Sequence, residues 1–87
     1  MTRTKCPLVM IEWEDSTQPH SAWRFLEDVG TAVPVVCRSV GWLIGDGKTK
    51  VLAPNMGAID LSSVQVAGTI TIPARCVRRV VRLREPA

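Results

Sequence analysis

One stretch decides the fold, and it runs Gly68-Thr69-Ile70-Thr71-Ile72-Pro73-Ala74-Arg75-Cys76-Val77-Arg78-Arg79-Val80-Val81-Arg82-Leu83. Apolar and polar or small residues alternate from Val64 to Ile72, which is the period of a strand with one buried face. Pro73 ends that strand, and a single tight turn is predicted over Ala74 to Val77. A second strand, Arg78 to Arg84, then carries a row of arginines. The stretch therefore predicts the last two strands of a small β-barrel.

Three further strands are predicted upstream of this stretch. Leu8 to Glu14 alternates with period two, Val35 to Gly45 is the longest extended segment, and Lys48 to Ala53 returns from a turn at Asp46-Gly47. Asp-Gly between two extended segments favours a tight hairpin, because both positions tolerate positive φ. Gly41, near the middle of the longest strand, predicts a sharp bend or a barrel corner.

The segment after the first strand allows two interpretations. Ser21 is placed to cap a short helix over Ala22 to Asp28, in which Trp23 and Leu26 share a face. Alternatively, the segment is an ordered loop that plugs the barrel with Trp23 and Phe25. The sequence does not choose between a helix and a loop.

These elements predict an all-β fold, a small five-stranded, strongly bent antiparallel barrel of the Sm-like or Src-homology-3-like kind. Residues 1–87 form one domain, with residues 1–6 as a flexible tail. No apolar run approaches the roughly 18 residues that span a bilayer, and the apolar segment Leu8 to Ile11 is too short for a signal peptide. Three widely spaced cysteines fit reduced thiols. We therefore expect a cytoplasmic protein without membrane contact.

Charge is distributed unevenly along the chain, whose formal net charge is +3. Residues 1–34 hold three Lys or Arg against five Asp or Glu, whereas residues 35–87 hold eight against three. Such asymmetry indicates an anionic partner or complementary packing between subunits.

Several segments resemble small uncharacterised proteins encoded by phages and prophages. These segments are Glu12-Trp13-Glu14-Asp15-Ser16, Arg38-Ser39-Val40-Gly41-Trp42-Leu43-Ile44, Val51-Leu52-Ala53-Pro54-Asn55 and Thr69-Ile70-Thr71-Ile72-Pro73. The resemblance implies an origin in a phage or another mobile element but carries no established activity.

The predicted strand order also resembles Sm-like barrels, which form rings and bind RNA. Sm-like proteins hold bases with an acidic-then-Asn loop and an Arg-Gly loop. Asp46 and Asn55 do not match the first loop, and the chain has no Arg-Gly pair for the second. The residues of that RNA site therefore cannot be transferred to this chain.

Catalytic and metal chemistry have little support in the sequence. His20, the single histidine, is either a general base beside a serine or cysteine or, more simply, a solvated loop residue. With Cys6, Cys37 and Cys76 it would supply four zinc ligands, but the closely spaced pairs of structural zinc sites are missing. We expect Cys37 and Cys76 to act as small buried hydrophobes. No enzyme activity, cofactor, metal or small-molecule substrate is predicted.

The C-terminal arginines are the one feature that suggests a binding function. Alternation places Arg78, Arg82 and Arg84 on one exposed face, with Lys48 and Lys50 on the neighbouring hairpin. A row of this kind can follow the phosphates of single-stranded RNA or DNA. Alternatively, it is a charged edge that blocks aggregation or pairs with the acidic first strand. We predict a non-enzymatic, homo-oligomeric binding or assembly module; the alternative is a protein–protein interaction module of a phage or host complex without nucleic-acid affinity.

Overall fold

The computed structural model describes residues 6–16, 19, 21–30 and 33–85. The elements in these ranges are the strands β1 (Leu8–Asp15), β2 (Val35–Asp46), β3 (Thr49–Ala53), β4 (Asn55–Gly57), β5 (Gln65–Ala67), β6 (Ile70–Pro73) and β7 (Val77–Arg82), with 3₁₀ turns at Leu26–Asp28 and Ala74–Cys76. The predicted all-β class is confirmed. Most of the tail predicted at residues 1–6 lies outside the described residues.

Five strands form one antiparallel sheet in the order β6-β3-β2-β1-β7. The first strand is thus paired on one side with the second and on the other with the last. The predicted five-stranded antiparallel sheet is confirmed. Across the described part of the chain β6 and β7 do not pair, so they are the two edges of an open sheet.

The segment predicted as one strand from Val64 to Ile72 is two strands. Gly68 interrupts it with a φ of 72°, a left-handed conformation that glycine adopts without steric cost. Before this break, β5 pairs with β4 in a separate two-stranded hairpin, and after it, β6 joins the main sheet. The alternating pattern is real, but it spans a change of sheet that the pattern does not reveal.

The predicted hairpin between β2 and β3 is present, but its turn is wider than predicted. Asp46 pairs with Lys50, which leaves three residues in the loop, and neither Asp46 nor Gly47 has a positive φ. The amide of Gly47 donates to the carbonyl of Thr49 at 3.1 Å. A bulge between Leu43 and Gly45 strengthens the local twist.

Gly41 lies where the end of β3 comes closest to β2, and the bend predicted at this glycine stays a prediction. A Cβ at this position would lie 3.0 Å from the carbonyl carbon and oxygen of Ala53 and 3.2 Å from the nitrogen of Pro54. The end of β3 therefore lies so close to β2 that a side chain at this point would require the backbone of Ala53 to move by a few tenths of an ångström. This close approach is the physical reason for glycine in the middle of the longest strand.

The core lies on one face of the curved main sheet. Its buried apolar side chains are Val9, Ile11, Leu52 and Ile72. Ala53, also buried, is in register with Trp42 and therefore lies on the opposite face. Val9 and Ile11 of β1 share one cluster with Ile72 of β6, three strands away, so the sheet must curl to bring them together. Trp13 borders this cluster and donates its indole N–H to the Ser39 hydroxyl at 3.0 Å.

Trp42 lies on the face of the sheet opposite the core. It pairs in register with Leu8, and side chains alternate between the two faces, so Trp42 points away from Val9. Its indole N–H donates to a carboxylate oxygen of Glu85 at 3.4 Å. The face opposite the core is called the outer face below.

The segment after β1 is neither the predicted helix over 22–28 nor a plug. A single 3₁₀ turn spans Leu26–Asp28, and every residue from 21 to 30 is exposed. Trp23 is 102% exposed and Phe25 is 74% exposed, so neither side chain enters the core. The chain's own hydrophobic interior therefore does not hold this segment. No helix within the described ranges is long and apolar enough to cross a membrane.

Candidate binding surface

An ionic row crosses three strands on the outer face. Glu12 of β1 lies opposite Arg38 of β2 and Arg79 of β7 in the strand register. Its carboxylate accepts a hydrogen bond from the Arg38 Nε at 3.0 Å and lies 3.4 Å from the Arg79 Nε. The Glu12 side chain is 13% exposed, whereas those of Arg38 and Arg79 are 64% and 55% exposed. The carboxylate thus lies beneath two guanidinium groups that remain accessible.

The arginines determine the protonation of this carboxylate. The hydrogen bond from Arg38 is the main cause that lowers the pKa of Glu12, and the positive charges of Arg79, Arg38 and Arg78 lower it further. Partial removal from water acts in the opposite direction and raises the pKa, without reversing the net shift. Glu12 is therefore ionised at neutral pH, and the row carries a net charge of +1.

The three C-terminal arginines predicted to share one face are separated by a bulge. Arg78 is the extra residue between the pairs Glu12–Arg79 and Trp13–Val77. Beyond it the alternation is shifted, so Arg79 lies on the outer face and Arg82 lies opposite Val9 of the core face. Arg84 follows the end of β7, where the amide of Leu83 donates to the Leu8 carbonyl at 2.8 Å.

These arginines keep their charges available. Arg75, Arg78, Arg82 and Arg84 are exposed, and none forms a salt bridge within the described part of the chain. The sequence offers, as one alternative, that the basic strand pairs with the acidic first strand. One such pairing exists within the chain, but it engages Arg79, which the alternation argument had left out.

The two hairpin lysines lie away from β7, because β2 and β1 separate β3 from it. Lys50 forms a salt bridge with Asp46, its register partner across the hairpin. Lys48 is exposed in the turn, and its carbonyl accepts a hydrogen bond from the Ala74 amide at 2.9 Å. Lys48 is therefore next to the 3₁₀ turn that carries Arg75, but not beside Arg82 or Arg84.

Next to the ionic row lies an apolar row on the same outer face. Met10 is in register with Val40 on one side and with Val81 on the other. Trp42 and Leu8 form the following pair toward the start of β1. Val40 is 52% exposed, and the others are half-buried. The outer face thus combines an apolar patch with a positively charged border.

The residues considered for catalysis or metal binding do not form a site. His20 lies outside the described residues. Cys37 and Cys76, predicted to be buried, are half-buried, and Cys76 packs against the core cluster. Within the described ranges no group of three His, Cys, Asp or Glu side chains is placed to hold a metal ion.

An open groove of about 480 Å³ lies beside the end of β1, where Arg75 and Cys76 face Glu14, Asp15 and Pro34. Its lining mixes opposite charges with apolar side chains. It presents neither a concentrated charge nor an enclosed cavity, so it identifies no ligand.

Comparisons with models of protein families, with curated proteins and with solved structures found no match to this chain.

Proposed function

We propose that this chain is a non-enzymatic assembly module that associates with copies of itself. The observation that carries the proposal is the ratio of exposed to buried apolar side chains. Among the described residues, five apolar side chains are buried. The exposed large ones are Trp23, Phe25, Leu26, Val29, Val33, Val35, Val36, Val40, Ile44, Ile59, Leu61, Val64, Val66 and Val80.

This imbalance is costly for an isolated chain. Burial of apolar surface stabilises a protein by about 25 cal/mol per Å², and small domains have little surplus stability. Single exposed apolar residues are ordinary, but contiguous exposed segments mark interaction sites. Here three large apolar side chains lie within four positions and are each at least 74% exposed: Trp23, Phe25 and Leu26. Association would bury this surface and supply the stability that the small core does not.

The dimensions of the chain support the same proposal. Its principal axes measure 61 × 23 × 22 Å, and the radius of gyration is 17.5 Å. A compact domain of this length has a radius of gyration of about 12 Å. An elongated form exposes more surface than a compact domain of the same length, as expected for a chain that packs against others.

We also propose that the main sheet belongs to a Sm-like or Src-homology-3-like barrel that closes on assembly. The strand order, in which the last strand pairs with the first, supports this idea, as does the 3₁₀ turn that joins β6 directly to β7. We further propose an origin in a phage or another mobile element, with partners in a phage or host complex. The support for this origin is the resemblance of the segments quoted above to phage and prophage proteins.

The assembly proposal is tested by light scattering coupled to gel filtration, at protein concentrations from about 1 to 100 µM. A dimer or a larger closed oligomer is expected, with a mass that falls on dilution. A mass of 9.5 kDa at every concentration would refute self-association.

A second candidate function is binding of single-stranded RNA or DNA. It is favoured by the four exposed arginines without salt bridges on and beside β7, together with the net charge of +3. Fluorescence anisotropy with a labelled oligonucleotide should show affinity that falls steeply with salt, because phosphate contacts release counterions. Arg82→Glu should abolish this binding, whereas Arg24→Glu, a matched charge reversal on the 21–30 segment, should preserve it. No binding at low salt, or equal effects of both variants, would exclude a site at β7.

A further inference from the structure

The segment 21–30 has the composition of a docking element, and its large apolar side chains are exposed in the single chain. It is called the apolar arm below. Trp23, Phe25 and Leu26 are 102%, 74% and 87% exposed, and Val29 is 45% exposed. The 3₁₀ turn gives the arm local shape through hydrogen bonds from the Asp28 amide to the Phe25 carbonyl and from the Val29 amide to the Leu26 carbonyl, at 3.0 and 3.2 Å.

The outer face of the main sheet offers a matching surface. The apolar row Val40–Met10–Val81 and the pair Trp42–Leu8 form a contiguous patch across β2, β1 and β7. Three adjacent strands hold this patch in register, so it is a rigid platform rather than a mobile loop. Val40, at its exposed margin, is 52% accessible.

Charge complementarity favours contact between the arm and this face. The arm carries Glu27 and Asp28 directly after Leu26, and with Arg24 its net charge is −1. The border of the patch carries the ionic row, whose net charge is +1. If the aromatic residues of the arm lie on the patch, the carboxylates of Glu27 and Asp28 lie near its positively charged border. Such opposite charges favour one partner and one orientation of docking over others.

The available area is sufficient for a stable interface. Large aromatic side chains bury about 150–250 Å² each, so Trp23, Phe25 and Leu26 together offer roughly 500 Å². The receiving face loses an equal area, so one contact buries about 1,000 Å² in total. Two reciprocal contacts in a symmetric dimer would bury about 2,000 Å², which is within the range of stable interfaces. One contact alone would be at the weak end of that range.

We infer that the apolar arm of one copy docks on the outer face of a second copy, with Trp23 and Phe25 against the Val40–Met10–Val81 row. This inference rests on the proposed self-association and specifies its contact. In the single chain the arm lies off the sheet, as the full exposure of Trp23 shows. The occupant of the face is therefore assigned to a neighbouring molecule and not to the chain's own arm.

The test uses two variants that damage opposite sides of the same contact. The arm variant, Trp23→Ser with Phe25→Ser, removes side chains that contribute nothing to the core. The face variant, Val40→Glu, places a carboxylate in the apolar row, where it also repels Glu27 and Asp28. Each should raise the dissociation constant of the oligomer at least about 30-fold, the loss typical of a central interface residue. Val66→Ser, at a similarly exposed valine on β5, is the matched control and should leave the constant unchanged.

Mixing the two variants gives the decisive result. A mixed dimer retains one intact contact, between the unchanged arm of the face variant and the unchanged face of the arm variant. An equimolar mixture should therefore form heterodimers at concentrations at which each variant alone is monomeric. Sedimentation with one variant fluorescently labelled detects them. Circular dichroism melts of both variants establish that their folds are intact.

The outcomes separate this inference from the proposed function. If the wild-type chain is monomeric at every concentration, the proposed self-association fails and so does the docking contact. If the wild-type chain associates but either variant associates equally well, or the mixture does not form heterodimers, the arm-to-face contact is refuted while self-association stands. A monomer in which Trp23 is protected from acrylamide quenching would show that the arm folds onto its own chain, which also refutes the inference.

Discussion

Replacement of Gly41 by alanine should destabilise the fold for a purely steric reason. The added Cβ would lie 3.0 Å from the backbone carbonyl carbon and oxygen of Ala53 and 3.2 Å from the nitrogen of Pro54. Contacts this short are with backbone atoms, so no flexible side chain can move aside. Gly41 has no positive φ, and the cost is therefore not conformational strain in residue 41 itself.

The magnitude follows from the cost of overpacking. Forcing a methyl group into a well-packed site costs about 1–3 kcal/mol, and here the strand end at Ala53 must move. Ala53 is fully buried and leads directly from Leu52 of the core, so the displacement reaches the few residues that stabilise the sheet. With an m value of about 1 kcal/mol/M, the midpoint of urea unfolding should fall by about 1–3 M.

The assay is urea unfolding followed by tryptophan fluorescence at one fixed protein concentration, because association makes the midpoint concentration-dependent. Gly57→Ala is the matched control. A Cβ at Gly57 meets no atom within 4 Å, so this variant should be unchanged or up to about 1 kcal/mol more stable, through loss of unfolded-state entropy. Equal midpoints for Gly41→Ala and the wild-type chain would refute the close approach of β3 to β2.

Three further perturbations test the core and the ionic row. Glu12→Gln should lower the free energy of unfolding near neutral pH, because the folded-state pKa of Glu12 is below its ordinary value of 4.5. The difference in unfolding free energy between this variant and the wild-type chain should disappear as the pH falls through the folded-state pKa. Denaturation between pH 7 and pH 3 measures it. Leu52→Ala should cost about 2–5 kcal/mol in the same unfolding assay, because Leu52 is fully buried in a cluster of four buried core residues. Ser39→Ala should cost about 0.5–1.5 kcal/mol and shift the emission of Trp13, because it removes the hydroxyl that accepts the indole hydrogen bond.

Local sequence signals were sufficient for β1, β2, β3 and β7, but they did not predict β4. Period-two alternation located β1 and assigned Val9, Ile11 and Trp13 to one face, which is the core face of the structure. The turn after Pro73 was predicted because proline ends β6, and the 3₁₀ turn at Ala74–Cys76 lies there. These features depend on neighbouring residues alone, so a single sequence contains them.

Features that depend on distant contacts were not predictable in the same way. Alternation shows that Val40 and Trp42 share a face, but only packing decides whether that face is buried. The bulge at Arg78 changed which arginines lie together, because one extra residue reverses the faces of all residues after it. The break at Gly68 was missed because glycine also fits the alternating pattern that surrounds it.

The same reasoning misplaced the segment after β1. Trp23 and Phe25 were offered as a barrel plug because large apolar side chains are normally buried, and a single sequence does not show whether burial occurs within one chain or between chains. Their exposure is the observation that directs attention to assembly.

The chemistry of the two sheet edges indicates which surface is left for assembly. β7 is lined by exposed arginines, and β6 is four residues long and ends in Pro73, which lacks an N–H to donate. Short, charged or proline-containing edges oppose the addition of further strands. Growth of the sheet by edge pairing between copies is therefore disfavoured at both ends.

The outer face has no such protection, since its apolar row is bordered by charge but not interrupted by it. Association through faces rather than edges follows from this distribution, and an aromatic arm suits a face because its side chains, not its backbone, make the contact.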